Sequence, residues 1–350
     1  MKNIRKTISV LTLLIAAYIL TLKTRVMENN SQGGRMRMTD VYSIGEMVID
    51  FIPGSEPASY IRKAGGAPAN VAIAVAKNGL EASMCCKVGD DDFGHFLMRT
   101  LEEYHVKAAC PKLCEDAITT MAFVTLADNG ERVFTFARKP GADMFLTEDE
   151  VKEEDIENSV IVHAGSCSLS AQPVGAATVK AMRVAHEKGK LVSFDVNYRN
   201  VMWKDDLAAC TAAVMDILKY VDMLKISEEE VDMMGGVEAI PELMKKHEIA
   251  LVVETLGSHG AQAFFGSQVI RVEGHKVKAV DATGAGDAFW GGFLSSLRIQ
   301  GVTSVKDLTA ENIEKAMTYG NVSGCICVQG KGAIVSIPTR AQIEEYMKNM

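Results

Sequence analysis

The sequence lacks a Cys-x-x-Cys pair. Its eight cysteines, Cys85, Cys86, Cys110, Cys114, Cys167, Cys210, Cys325 and Cys327, stand scattered. None combines with histidine at a zinc spacing, and the seven histidines form no metal-spaced pair, which excludes a zinc module. Such cysteines read as small apolar core residues in a reducing, cytoplasmic setting. A Walker A loop is also absent: Gly324…Gly330-Lys331-Gly332 has five intervening residues and no Ser or Thr after the lysine. No G-x-G-x-x-G follows the first expected strand, because Gly45 is followed by Glu46. That disfavours a dinucleotide oxidoreductase. The body has no internal repeat and no low-complexity tract. Positive charge is scarce outside the N-terminus. Residues 1–37 hold seven Lys/Arg and one Glu, leaving 30 basic against 44 acidic residues, a net charge of −14. So acidic a body argues against a nucleic-acid partner, although backbone N–H groups and one or two cations suffice to bind a phosphate.

One apolar run is conspicuous. Residues 8–22 (ISVLTLLIAAYILTL) follow Lys2, Arg5 and Lys6. The run is short of the ~20 residues a spanning helix needs. It has the form of a signal-peptide core, but no A-x-A cleavage site follows. A membrane anchor, a signal peptide and untranslated upstream sequence compete. The last, with Met36 or Met38 as initiator, is favoured. Residues 1–37 are therefore left outside the fold, and membrane contact is expected only if the run belongs to the working protein.

What is present is an alternating chain. Of 350 residues, 48% are hydrophobic and 23% charged, enough for one large α/β domain or two smaller ones. A first strand is expected over 41–50, then a Gly65-Gly66-Ala67-Pro68-Ala69-Asn70 loop and an apolar helix over 70–78. Asp128-Asn129-Gly130 between β-rich runs predicts a hairpin. From Val160 onward strands and helices alternate, with helices near 173–188, 205–219, 228–247 and 310–328, which is the pattern of a parallel, doubly wound sheet. A further strand is expected over 268–280. The fold class is a three-layer α/β/α domain with a mainly parallel sheet and a small β lid from about 51–63 and 119–138. Asp50, Gly65-Gly66, Asp195/Asn197, 255–260 and 281–287 all fall at expected strand ends, the ligand rim of such sheets.

Asp281-Ala282-Thr283-Gly284-Ala285-Gly286-Asp287 carries the chemistry. Gly284, Ala285 and Gly286 present little side chain, so their N–H groups and the following helix N-terminus can receive an anion. Asp287 is a carboxylate in that anion pocket, which fits a proton acceptor in phosphoryl transfer. The structural alternative is a tight strand-to-helix turn. Gly65 and Gly66 would let a small polar ligand lie on the backbone, with Asn70 hydrogen-bonding its hydroxyls. Thr255-Leu256-Gly257-Ser258-His259-Gly260 is either a hairpin turn or a nucleotide cradle. Ser227-Glu228-Glu229-Glu230 is either an N-cap with an acidic first turn or, through a carboxylate, a water-mediated Mg²⁺ site.

The segments GGAPANVAIAVAKNG (65–79) and DATGAGDAFWGGF (281–293) resemble the two signatures of the PfkB, or ribokinase-like, sugar kinases, and the resemblance spans 41–338. Residues 45–50, 163–166 and 136–143 most resemble fructokinases. The resemblance implies ATP as co-substrate, Asp287 as catalytic base and Gly284, Ala285 and Gly286 as anion hole. It implies Asp50, Gly66 and Asn70, with Gly65 beside them, as sugar contacts, and Arg138 reaching the substrate from the lid. Ser227, Thr255, Gly257, Gly260 and Asn321 fall at nucleotide contacts, and Glu230 at the Mg²⁺ position. Asp281, Thr283, Gly330, Gly332 and Ser336 fall where the family binds a monovalent cation, usually K⁺. Two departures stand out: Ala282 replaces a Thr, and Ser227 replaces the Asn of an Asn-x-x-Glu motif. The expected organisation is an extension over 1–37, a kinase domain over 38–340 and a tail over 341–350. The expected function is fructose phosphorylation. Another sugar or sugar-acid kinase (2-keto-3-deoxygluconate kinase or ribokinase) and a non-catalytic binding protein stay open. An exposed lid edge suggests a homodimer.

Overall fold

Short apolar runs closed by polar turns become thirteen strands among the described residues of a computed structural model, which describes residues 38–56, 58–126 and 132–350. They are β1 (Thr39–Ile44), β2 (Val48–Pro53), β3 (Tyr60–Gly65), β4 (Ala82–Cys85), β5 (Val106–Ala108), β6 (Met121–Leu126), β7 (Arg132–Ala137), β8 (Ser159–Gly165), β9 (Leu191–Asp195), β10 (Met223–Ser227), β11 (Leu251–Thr255), β12 (Gly260–Phe265) and β13 (Gln268–Glu273). The apolar run at 8–22 and the Asp128-Asn129-Gly130 turn lie outside the described residues.

The main sheet runs β13-β12-β11-β10-β9-β8-β1-β4-β5. Its strands pair in parallel from β5 to β11, and β12 and β13 close one edge antiparallel. β8 and β9 are buried along their whole length, as strands covered on both faces must be. Two apolar clusters lie on opposite faces of the sheet. One packs Val162, Phe194, Leu224 and Val252 with Ala181, Val214 and Leu243 of the helices Val174–Glu187, Leu207–Ile217 and Ile240–His247. The other packs Val41, Ile161, Met223 and Val253 with Val71, Trp290 and Met317 of the helices Ala67–Lys77, Ala285–Ile299 and Ala310–Cys327. This is the expected three-layer arrangement.

A second sheet, β3-β2-β6-β7, forms the lid. β2 pairs with β6 in parallel, and the outer pairs are antiparallel. Phe51 stacks on Phe123 at 5.0 Å, Tyr60 meets both edge-on, and Phe93 of the helix Asp92–Glu103 meets Phe51 edge-on at 5.7 Å. Aromatic packing thus joins the lid to the body.

Several expected elements are corrected. The strand expected over 41–50 is two strands in two sheets. The chain turns at Gly45, whose φ is +147° and where a Cβ would lie 2.7 Å from Pro68 Cγ. Asp50 therefore sits within a lid strand, opposite Lys63 and Ala122, and not at the end of a main-sheet strand. The helix expected over 228–247 is broken by Gly235 and Gly236, both with positive φ, and only Ile240–His247 is α-helical. The strand expected over 268–280 stops at Glu273. A helix, Arg340–Lys348, runs into the stretch expected as the tail. It is capped by Thr339, and its Ile343 is buried against Tyr319 and Val322.

Candidate active site

β1 and β8 to β11 end on one rim of the main sheet, and the turn at 281–284 opens beside it onto the helix Ala285–Ile299. Gly284 enters that helix at φ +78°, and a Cβ there would lie 2.4 Å from Ala333 Cβ. Only glycine takes this conformation without strain. The turn is pinned from behind: Asp281 Oδ1 accepts from Thr283 N at 2.8 Å, and Oδ2 accepts from Gly332 N at 2.9 Å. The helix is anchored further along. Trp290 Nε1 donates to Ser193 Oγ at 2.9 Å, and that hydroxyl also bonds His163 Nδ1 at 3.0 Å. Burial holds His163 at about 3, so it stays neutral.

Asp287, in the first turn of this helix, is 7% exposed. Its Oδ2 accepts from Asn70 Nδ2 at 2.7 Å, across 217 residues of chain. Burial raises the Asp287 carboxyl above the usual range. The Asn70 hydrogen bond opposes that rise, Asp195 adds to it, and Arg199 and Lys225 oppose it. Asn70 has a second feature: its Oδ1 is buried without a partner. A buried acceptor of that kind calls for a donor from a ligand. The helix Ala67–Lys77 that carries Asn70 starts at Gly66, which has no capping side chain. Glu46 substitutes, accepting from Ala67 N at 3.1 Å. Burial pushes Glu46 up to about 7.

Asp50 is within range of the same charges. Burial, then Asp287, then Asp281 push its carboxyl up to about 7. Gly65 makes room for it, since a Cβ on Gly65 would lie 2.0 Å from Asp50 Oδ2. Asp50, Gly65, Asn70 and Asp287, spread over the sequence, therefore converge. Arg138 is held by partners of its own: Nε donates to Asp143 Oδ2 at 2.8 Å and Nη1 to Ser170 Oγ at 3.3 Å. It lines a cavity of about 590 Å³ with Asp91, Ile118, Phe136, Lys139 and Pro140. Asp143 also accepts from Thr120 Oγ1, and Asp91 from Thr119 N and Oγ1, so two aspartates hold the start of lid strand β6.

The residues expected at nucleotide and metal positions lie along the rim. Glu230 accepts from Tyr198 N at 2.7 Å and Ser227 N at 2.9 Å, so its carboxylate ties the ends of β9 and β10 together. Thr255 Oγ1 donates to Ile226 O at 3.4 Å. Gly257 lies in a short turn after β11. A Cβ on Gly260 would strike Val272 O at 2.1 Å, which makes this glycine necessary to the β12–β13 hairpin in any case. Asn321 Nδ2 reaches Val272 O and Glu273 O, placing it against the end of β13. Gly330 abuts Ser336, whose Oγ would be 2.2 Å from a Cβ there, and Gly332 joins Asp281. The expected cation-loop residues are thus neighbours.

Sequence reasoning missed Lys225, Arg199 and Glu46. Lys225, 5% exposed on β10, donates to Asp195 Oδ2 at 2.8 Å. A signal was available: VDMLKIS and LVSFDVN each put a charge inside a strand read as doubly covered, and two such charges must find each other.

A site of this kind, a carboxylate beside a glycine turn at a helix N-terminus on the ligand rim of a three-layer sheet, has known counterparts. The profile described as pfkB family carbohydrate kinase matches residues 38–340, and the chain belongs to that family. It is an enzyme of the phosphotransferase class. Among its relatives, fructokinase-1 of Oryza sativa subsp. japonica is 38% identical over 319 residues, covering 88% of this chain and 98% of that protein. A fructokinase from Xylella fastidiosa, solved with bound ATP, has a TM-score of 0.82 at 27% identity, covering 89% and 98%. A fructokinase double mutant from Vibrio cholerae O395, solved with fructose, ADP and potassium ion bound, has a TM-score of 0.78 at 33% identity, covering 89% and 98%.

Proposed function

We propose that the protein phosphorylates fructose with ATP, giving fructose 6-phosphate and ADP, in the cytoplasm. The observation that carries this reading is the buried Asn70–Asp287 hydrogen bond beside Gly284, Ala285 and Gly286, with Asn70 Oδ1 left unpartnered. The sugar seats on Asp50, Gly65, Gly66 and Asn70, and one of its hydroxyls supplies the donor that Asn70 lacks. Asp287 takes the proton of the attacking hydroxyl. The hydroxyl oxygen bonds to the γ-phosphorus as the bond to the β-phosphate oxygen breaks, and ADP leaves with that electron pair. The amides of the glycine turn carry the charge on the transferring group. Ser227, 255–260 and Asn321 flank the nucleotide. Arg138 shapes the lid side of the sugar pocket through Asp143. The names of the relatives, fructokinase, support fructose as the sugar.

The donor sets fit hard cations. The Asp281 carboxylate, Thr283, the Ser336 hydroxyl and the carbonyls of Gly330 and Gly332 would hold a monovalent cation, and Glu230 would hold Mg²⁺ through water. When bound, these ions neutralise phosphate charge. ADP release measured with ATP over a panel of sugars tests the assignment. The expected result is fructose at the highest kcat/KM. No sugar-dependent ADP release would overturn catalysis, and a preferred sugar other than fructose would overturn the substrate.

Asp50 yields a pH prediction. Ionised, it accepts hydrogen bonds from sugar hydroxyls. The sugar KM should therefore rise as pH falls below about 7, the value to which Asp50 is pushed, and Asp50→Asn should flatten that rise while weakening binding at pH 8. The stability effect has the opposite sign. A carboxyl raised on folding contributes stability below its unfolded value, and that contribution is lost as pH rises through the folded one. Asp50→Asn should thus raise Tm more at pH 8 than at pH 4. A thermal shift series at both pH values checks this, and an equal or larger gain at pH 4 would refute it.

A further inference from the structure

The phosphoryl site is crowded with negative charge. Asp50, Asp195 and Asp281 surround Asp287, and Glu230 lies near Lys225. A nucleotide triphosphate adds several more negative charges. The cations that act on Asp287 are Arg199 and Lys225. Arg199 belongs to the loop after β9, whereas Lys225 sits within β10 beneath the turn. Lys225 is 5% exposed, and a Cβ built on Gly286 would lie 3.5 Å from its Nζ. A charge so placed interacts with the turn several-fold more strongly than it would in water. Asp195 uses one of the three N–H donors of Lys225 at 2.8 Å, through Oδ2, while its own Oδ1 is buried without a partner. Among the described residues the ammonium donates to Asp195 alone, so two of its three N–H donors are left for an anion.

We propose that Lys225 supplies a fixed positive charge to the transferring phosphoryl group from beneath the Gly286 turn, with Asp195 holding its ammonium in place. This rests on the kinase reading of the same turn. The charge matters most when the phosphoryl group is in flight, so it lowers the barrier and contributes little to sugar binding.

The test compares three variants with the parent by steady-state kinetics with fructose and ATP. Lys225→Met removes the charge but leaves Asp195 unpaired, so misfolding alone would also lower its activity. The double variant Lys225→Met/Asp195→Asn removes both charges and leaves no buried ion unpaired, so it keeps the fold testable. Lys225→Arg keeps the charge. The expected result is a drop in kcat of roughly 10²–10³-fold in both Met variants, with the fructose KM within about threefold of the parent and with Lys225→Arg retaining most of the rate. A double variant whose kcat recovers to within about threefold of the parent would overturn the proposal and leave Lys225 as a packing partner of Asp195. A parent protein that phosphorylates no sugar would instead overturn the kinase reading.

Discussion

Asp287→Asn should lower kcat by roughly 10²–10⁴-fold, the scale set by removing a general base, while the KM for ATP changes little. The amide matches the carboxylate in shape and can still accept from Asn70 Nδ2, so the loss should reflect the missing proton acceptor. Stability separates the two effects. Burial raises the Asp287 carboxyl. Its contribution to stability is therefore present below the unfolded value and lost as pH rises through the folded one. Removing the charge should raise Tm at pH 8 even as turnover collapses. A coupled assay for ADP release and a thermal shift measurement suffice. Turnover equal to that of the parent would remove Asp287 from the mechanism.

Gly284→Ala should damage the same site through the backbone. The position has φ +78°, and the added methyl would meet Ala333 Cβ at 2.4 Å. The left-handed conformation costs a non-glycine residue about 1–2 kcal/mol. The clash moves either the turn or the segment around Ala333, and with it the amides at 284–286. Misplacing one anion-hole donor costs roughly 10²–10³-fold in kcat. The variant should therefore lose rate well beyond what its lowered Tm explains. Adding Ala333→Gly relieves the contact but not the strained φ, so the double variant should recover part of the rate. Full activity in Gly284→Ala would show that the turn tolerates displacement and that its amides do not set the rate.

How much of this was legible depends on the reach of the signal. The glycine turn, Asp287 and the Gly65-Gly66…Asn70 loop are local patterns with local reasons. The alternation after Val160 predicted the parallel sheet because doubly covered strands must be apolar throughout. The misread elements share a cause. The 41–50 strand looked continuous because one residue, Gly45, can carry the chain from the main sheet into the lid without breaking the apolar run. The 228–247 helix was overextended because Gly235 and Gly236 interrupt a stretch whose neighbours favour helix. Asp50 looked like a rim residue only while β1 and β2 were read as one strand.

By itself the sequence determined the class of fold and the alternation of strands and helices after Val160, because these follow from hydrophobic period and from glycine where the backbone must turn or approach closely. The tertiary structure alone decided which charges meet. Asn70 reaches Asp287 across 217 residues, Lys225 meets Asp195 across a strand pair, and Arg138 turns to Asp143. Such pairings depend on how the helices are seated on the sheet, and Coulomb energy falls with distance in space, whatever the separation along the chain.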